Sequence, residues 1–171
     1  MKALKLYIRV VDRISHFFGM AMSVLVPVMM LVITYEVVVR YFLRKPTVWV
    51  FDIAIFCFGY IGLLGGAYAM RHRSHINVDL IQSRLSPRGK AILDAATAPL
   101  VFFFLVLVII YGGEYAWDGF KIGIRRPTEW GPPLGHFLAM IPFGAFLLLL
   151  QALANWIRDL HLAITSKVLE P

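Results

Sequence analysis

A chain of 171 residues in which 60% of the side chains are hydrophobic and only 16% are charged is too apolar to hide its surface in one soluble core. That balance excludes an ordinary soluble domain and indicates a membrane protein. The formal charge of +7 comes from Lys and Arg gathered at the ends of apolar runs, which reads as topology and lipid-surface charge and gives no sign of nucleic-acid binding.

Residues 1–16 have the pattern of a basic amphipathic helix lying on the membrane. Lys5, Arg9, Arg13 and His16 recur on one side, and Leu6, Val10, Ile14 and Phe17 on another. Anionic lipids of the inner leaflet would attract it. A first span is predicted from Phe17 to Phe42. Its apolar stretch is far longer than the roughly 7–15 residues of a signal-peptide core, and no A-x-A pattern closes it, so it reads as a retained anchor. Glu36 and Arg40 stand four residues apart on one helical face and can pair. Glu36 lies about 28 Å along the span from Phe17, near the outer interface. A structural pair or a contact with a partner helix is the plain reading, and a proton or cation site is the alternative.

The second span, Trp49 to Met70, opens on Trp49-x-x-Asp52. Trp belongs at headgroup level, and an acid in a first helical turn is favoured by the helix dipole. The pair therefore reads as an interfacial anchor or a protein contact. Gly59, Gly62, Gly65 and Gly66 offer a face that another helix can approach closely. Cys57, the single cysteine, sits in this apolar run and leaves no partner for a disulfide or a cysteine zinc site.

RHRSHINVDL, residues 71–80, follows the second span. His72, His75 and Asp79 imitate a metal site, but Arg71 and Arg73 crowd them with positive charge and no fourth ligand is near. None of the five histidines, at positions 16, 72, 75, 136 and 161, falls in mid-span, so no haem ligation is expected either. No cofactor is predicted, and Arg71, Arg73, His75 and Asp79 read as a cytoplasmic elbow where the chain leaves the bilayer. Val78 to Leu85 forms a second short amphipathic piece. Ser86-Pro87 then supplies a helix start.

The third span is placed at Ala91 to Tyr115. A helix from Pro87 to Trp117 would be about 46 Å long, well beyond the ~30 Å hydrocarbon core, so it must tilt, break or project. The loop Asp118 to Gly135 carries three prolines together with Lys121, Arg125, Arg126, Glu129 and Trp130. The fourth span is Phe137 to Ile157.

With the N-terminus inside, 11 of the 17 Lys and Arg fall on the cytoplasmic side and 6 outside, so both termini are expected in the cytoplasm. The predicted fold is an all-α integral membrane protein, a single domain over 1–171. It has four transmembrane helices, with interfacial amphipathic helices at the N-terminus and between spans.

Arg40, the turn at Pro46, Trp49-x-x-Asp52, the glycine-rich span, HINVDL and LSPRGKAILD occur in an order that resembles the small, Q-type membrane subunit of tripartite ATP-independent periplasmic (TRAP) transporters, over roughly residues 30–160. Asp52 departs from the pattern, standing where many relatives carry Glu. The resemblance implies a non-enzymatic subunit of the bacterial inner membrane. In that family a periplasmic substrate-binding protein captures an organic acid, and a large membrane subunit carries substrate and sodium by an elevator-like motion. The small subunit braces the stationary scaffold. Glu36, Arg40, Trp49 and Asp52 would then meet the large subunit or the membrane interface. Lys121, Arg125, Arg126 and Glu129 would form a docking loop for the binding protein.

The residues agree on physical grounds, since inverted repeats, interrupted helix pairs and a midplane polar cluster, which a carrier needs, are missing from the sequence. The rival reading is an autonomous homodimeric proton-coupled exporter using Glu36, against which Arg40 stands as a permanent cationic neighbour. A membrane enzyme or quinone anchor would need catalytic groups or mid-span ligands that the spans do not carry.

Overall fold

The computed structural model describes residues 2–72 and 87–165. These form five helices: α1 (Lys2–Ser23), α2 (Leu25–Phe42), α3 (Val50–Arg71), α4 (Pro87–Ile122) and α5 (Gly135–Thr165). The fold is all-α, and among the described residues four stretches are long and apolar enough to cross a membrane, α1 and α2 counting together as one. Arg73, His75 and Asp79 of the expected elbow, and the amphipathic piece at 78–85, lie outside the described residues.

The expected boundary at residue 17 does not mark a break. A single helix runs through it, and the interruption falls at Val24, between α1 and α2. Pro27 explains the position. It has no N–H to give the Ser23 carbonyl, and its ring crowds that same carbonyl four residues back. Val24 keeps right-handed helical angles (φ −68°, ψ −27°), so the chain stays helical through the interruption.

The far end of α2 closes on Arg44, whose φ of 53° is left-handed. On either side of it, the Leu43 and Lys45 N–H groups both donate to the Val39 carbonyl, at 3.2 and 3.3 Å. This turn sends the chain directly into α3.

α5 is the spine of the bundle. Three apolar clusters are strung along it: Ala154 with Ile8 and Val11 of α1, Leu147 with Leu64 and Ala67 of α3, and Ala145 and Ala152 with Leu105 of α4. α1 thus lies across both α3 and α5, α4 packs against α5, and α2 packs against α3. At Gly144 of α5 the α3 backbone itself comes close: a Cβ there would stand 2.6 Å from the Leu63 carbonyl oxygen. Of the glycines on the second span, Gly59 and Gly66 face Phe137 and Leu148 of α5, whereas Gly62 and Gly65 have open space.

α4 is continuous over 36 residues with Pro99 inside it. Of the alternatives left by its length, a break is therefore not the one taken. At about 54 Å it outreaches the hydrocarbon core.

Candidate functional site

Polar side chains gather at the two ends of the bundle, and each group ties several helices together. At the end carrying the N-terminus, the buried face of α1 is Ile8, Val11, Asp12 and Ser15. Leu6, Val10 and Phe17, from the expected apolar side, are exposed, as are Lys5, Arg9, Arg13 and His16. The face that packs is thus a third one, containing two polar residues. Their needs are met by α5. Ser15 Oγ donates to Gln151 Oε1 at 2.6 Å, and Gln151 Nε2 donates to Asp12 Oδ1 at 3.1 Å. Arg158 pairs with Asp12 Oδ2 and also donates to Asn155 Oδ1 at 3.1 Å. Asn155 Nδ2 in turn donates to the Met70 carbonyl at 3.0 Å, and Arg71 Nε lies 3.9 Å from Asp12, so the last turn of α3 joins the network.

Sequence reading missed this network. The available signal was the spacing of Gln151, Asn155 and Arg158, which puts all three on one helical face, opposite an aspartate among the apolar positions of α1.

At the opposite end, Asp52 is fully buried. Thr128 Oγ1 donates to its Oδ2 at 2.6 Å. Arg126 Nε stands 3.0 Å from Oδ1, an ion pair held by distance rather than by an aligned hydrogen bond. The Arg126 guanidinium also lies over the Phe51 ring, 5.9 Å from its centroid. Asp52 therefore has no surface to present to another chain; it anchors the loop that the sequence marked for docking.

That loop is built as a short hairpin. Arg126 N–H donates to the Pro132 carbonyl at 3.0 Å, Leu134 N–H to the Ile124 carbonyl at 2.9 Å, and Gly123 and Gly131 take the left-handed angles its corners need. Of the four predicted docking residues, Lys121, Arg125 and Glu129 are exposed, and Arg126 is turned onto Asp52. Lys121 rests over the Trp117 ring at 5.3 Å, and Arg125 donates to the Gly131 carbonyl at 3.2 Å.

Glu36 closes the turn between α2 and α3. Its Oε1 accepts from Arg40 Nε and Nη2 at 2.9 and 2.7 Å, while its Oε2 accepts from the Thr47 N–H at 3.2 Å and from the Thr47 hydroxyl. Tyr35 stacks on Trp49 with centroids 6.0 Å apart, so both predicted pairs belong to one hairpin. Arg40 keeps 55% of its side chain exposed. Between α2 and α3, beside Glu36 and Arg40, runs a groove of about 510 Å³ walled by Met29, Ile33, Val37, Val50 and Phe58.

The remaining surface is apolar. On α4, Leu100, Phe103, Phe104, Ile110 and Tyr111 point outward, and Glu114 is exposed in the same row. An acid on such a face was overlooked at the sequence level, although its place in the apolar run before Trp117 marks it.

The family profile described as "Tripartite ATP-independent periplasmic transporters, DctQ component" matches residues 29–162. The chain is 25% identical over 92 residues to the sialic acid TRAP transporter small permease protein SiaQ of Vibrio cholerae, covering 54% of this chain and 53% of that one. It is 24% identical over 117 residues to a putative TRAP transporter small permease protein of Haemophilus influenzae, covering 66% and 70%. The chain thus spans about half the length of the first of these relatives. The matched region runs from the first turns of α2 almost to the end of α5 and takes in both polar ties apart from their α1 members. The chain belongs to the DctQ-component family of tripartite ATP-independent periplasmic transporters, a family of transporter components and not of enzymes.

Proposed function

We propose that the chain is the small scaffold subunit of a sodium-coupled TRAP importer, in which a periplasmic binding protein delivers an organic acid to a large elevator-type subunit. The observation that carries this reading is how the chain uses its own carboxylates. Asp12, Glu36 and Asp52 are each engaged by cationic or hydroxyl groups of the same chain. Groups so engaged hold helices together and are poorly placed to bind and release a coupling ion. The apolar outward row of α4, meanwhile, is suited to a protein partner within the membrane.

On this reading the large subunit meets the outward row of α4 around Glu114, with Arg40 and Trp49 marking the outer interface. Lys121, Arg125 and Glu129 face the periplasm and steer the binding protein. Both termini lie in the cytoplasm, and the chain resides in the bacterial inner membrane. Membrane lipids fill whatever surface the partner leaves uncovered.

The test is reconstitution. The chain is expressed with its genomic neighbours, purified through a tag and placed in liposomes with a sodium gradient. The scaffold reading expects a large subunit to co-purify near one to one, and uptake to need all three proteins. A chain that purifies alone and drives proton-linked transport, abolished by Glu36→Gln, would establish the exporter reading in its place.

A further inference from the structure

At the end of the bundle that carries the N-terminus, α1 and the last turn of α3 enclose a recess of about 280 Å³ lined by Arg9, Asp12, Arg13, His16 and Arg71. Its one acid is already committed, since Asp12 pairs with Arg158 and accepts from Gln151. Arg9 and Arg13 are exposed and make no hydrogen bond or ion pair with any described residue. They stand four residues apart on one helix, a like-charge spacing that is destabilising unless an anion lies between them. Guanidinium groups gathered in this way match the oxygens of a phosphate.

The surroundings say which kind of phosphate. Met20 is one helical turn beyond His16, and Phe17 and Val24 flank it; all three are exposed, by 56%, 67% and 60%. The basic row on α1 therefore continues directly into an apolar row running toward the interior of the membrane. A soluble phosphate has no use for that row, whereas the acyl chains of a lipid do. The recess is the size of a headgroup and too small for a whole lipid. Below it His16 faces Tyr68 of α3, with ring centroids 5.8 Å apart, and the Tyr68 ring occupies the space that a side chain at residue 19 would need.

We propose that this recess binds the phosphate headgroup of one anionic phospholipid, held by Arg9, Arg13 and Arg71, with its acyl chains along Phe17, Met20 and Val24. The site is defined by α1 and α3 alone and does not depend on the transporter reading. It differs from the general attraction of a basic helix to an acidic surface in being stoichiometric and confined to one side of α1.

Native mass spectrometry of the full chain in detergent tests it, titrating phosphatidylglycerol, phosphatidylcholine of the same chain length, and inorganic phosphate. One phosphatidylglycerol should bind at least about tenfold more tightly than phosphatidylcholine, and inorganic phosphate should not displace it. Arg9→Gln with Arg13→Gln should weaken phosphatidylglycerol by about tenfold or more, taking about 1 kcal/mol for each basic residue at a lipid surface. Lys2→Gln with Lys5→Gln removes the same charge from the same helix outside the recess and should leave binding unchanged. Equal binding of the two lipids, equal loss in the two double variants, or displacement by inorganic phosphate would each overturn the assignment. The wild-type comparison stands even if a variant folds poorly.

Discussion

Arg126 Nε lies 3.0 Å from Asp52 Oδ1, which fastens the loop between α4 and α5 to the first turn of α3. Asp52 is fully buried and the Arg126 side chain is 19% exposed, so removing the acid strands a largely covered guanidinium. Asp52→Ala should therefore cost about 3 kcal/mol, read as a lower unfolding midpoint in detergent. Asp52→Asn keeps an acceptor for the Thr128 hydroxyl and should cost less. Equal midpoints for wild type and Asp52→Ala would show that the tie contributes nothing.

Glu36 makes the opposite kind of prediction. Its partner Arg40 is more than half exposed, so loss of the pair in Glu36→Gln should lower the unfolding midpoint much less than Asp52→Ala does. Cleavage by protease within residues 43–48 should become faster, because Thr47 is held less firmly. On the proposed scaffold role, uptake driven by a sodium gradient in the reconstituted system should persist. Complete loss of uptake in a variant that remains folded would return Glu36 to the role of an ion-coupling carboxylate.

At the other end, Asp12 and Arg158 should behave as a coupled pair. Asp12→Asn and Arg158→Gln, singly and together, should give an interaction energy of at least about 1 kcal/mol in a double-mutant cycle of thermal stability. Additive losses would mean that Gln151 and Asn155 hold α1 without the ion pair.

Gly144 and Gly62 form a matched contrast. A methyl at position 144 would collide with the Leu63 carbonyl, while one at position 62 meets nothing within 4 Å. Gly144→Ala should destabilise by about 1–3 kcal/mol, and Gly62→Ala should leave stability unchanged in the isolated chain. If Gly62→Ala instead weakens recovery of the large subunit without altering stability, the open face of α3 belongs to the partner interface.

The helices could be read from the sequence because the membrane imposes a length and an apolarity that few other contexts require. The pairing of Glu36 with Arg40 followed from helical spacing alone. Its second partner, Thr47, did not, because the contact depends on the left-handed turn at Arg44 and spacing cannot report a loop that folds back. Asp52 was placed correctly in the first turn of α3, but its burial is decided by Arg126 and Thr128, more than 70 residues away in the chain. The face of α1 that packs against α5 could not be read for a related reason. Asp12 and Ser15 look like surface positions until Gln151 supplies the hydrogen bonds that allow them to be buried.

Asp52 and Arg71 stand near the two ends of α3, separated by a rise of about 28 Å; Asp52 is tied to the loop that feeds α5, and Arg71 to Asp12 of α1. A helix pinned at both ends by polar groups that must stay near water has little freedom to shorten or lengthen its apolar stretch. The distance between the two collars is close to the ~30 Å hydrocarbon thickness, so it acts as a ruler. In a thinner or thicker membrane the lipids around this subunit would have to adjust to it, and any moving neighbour would work against a local bilayer of constant depth.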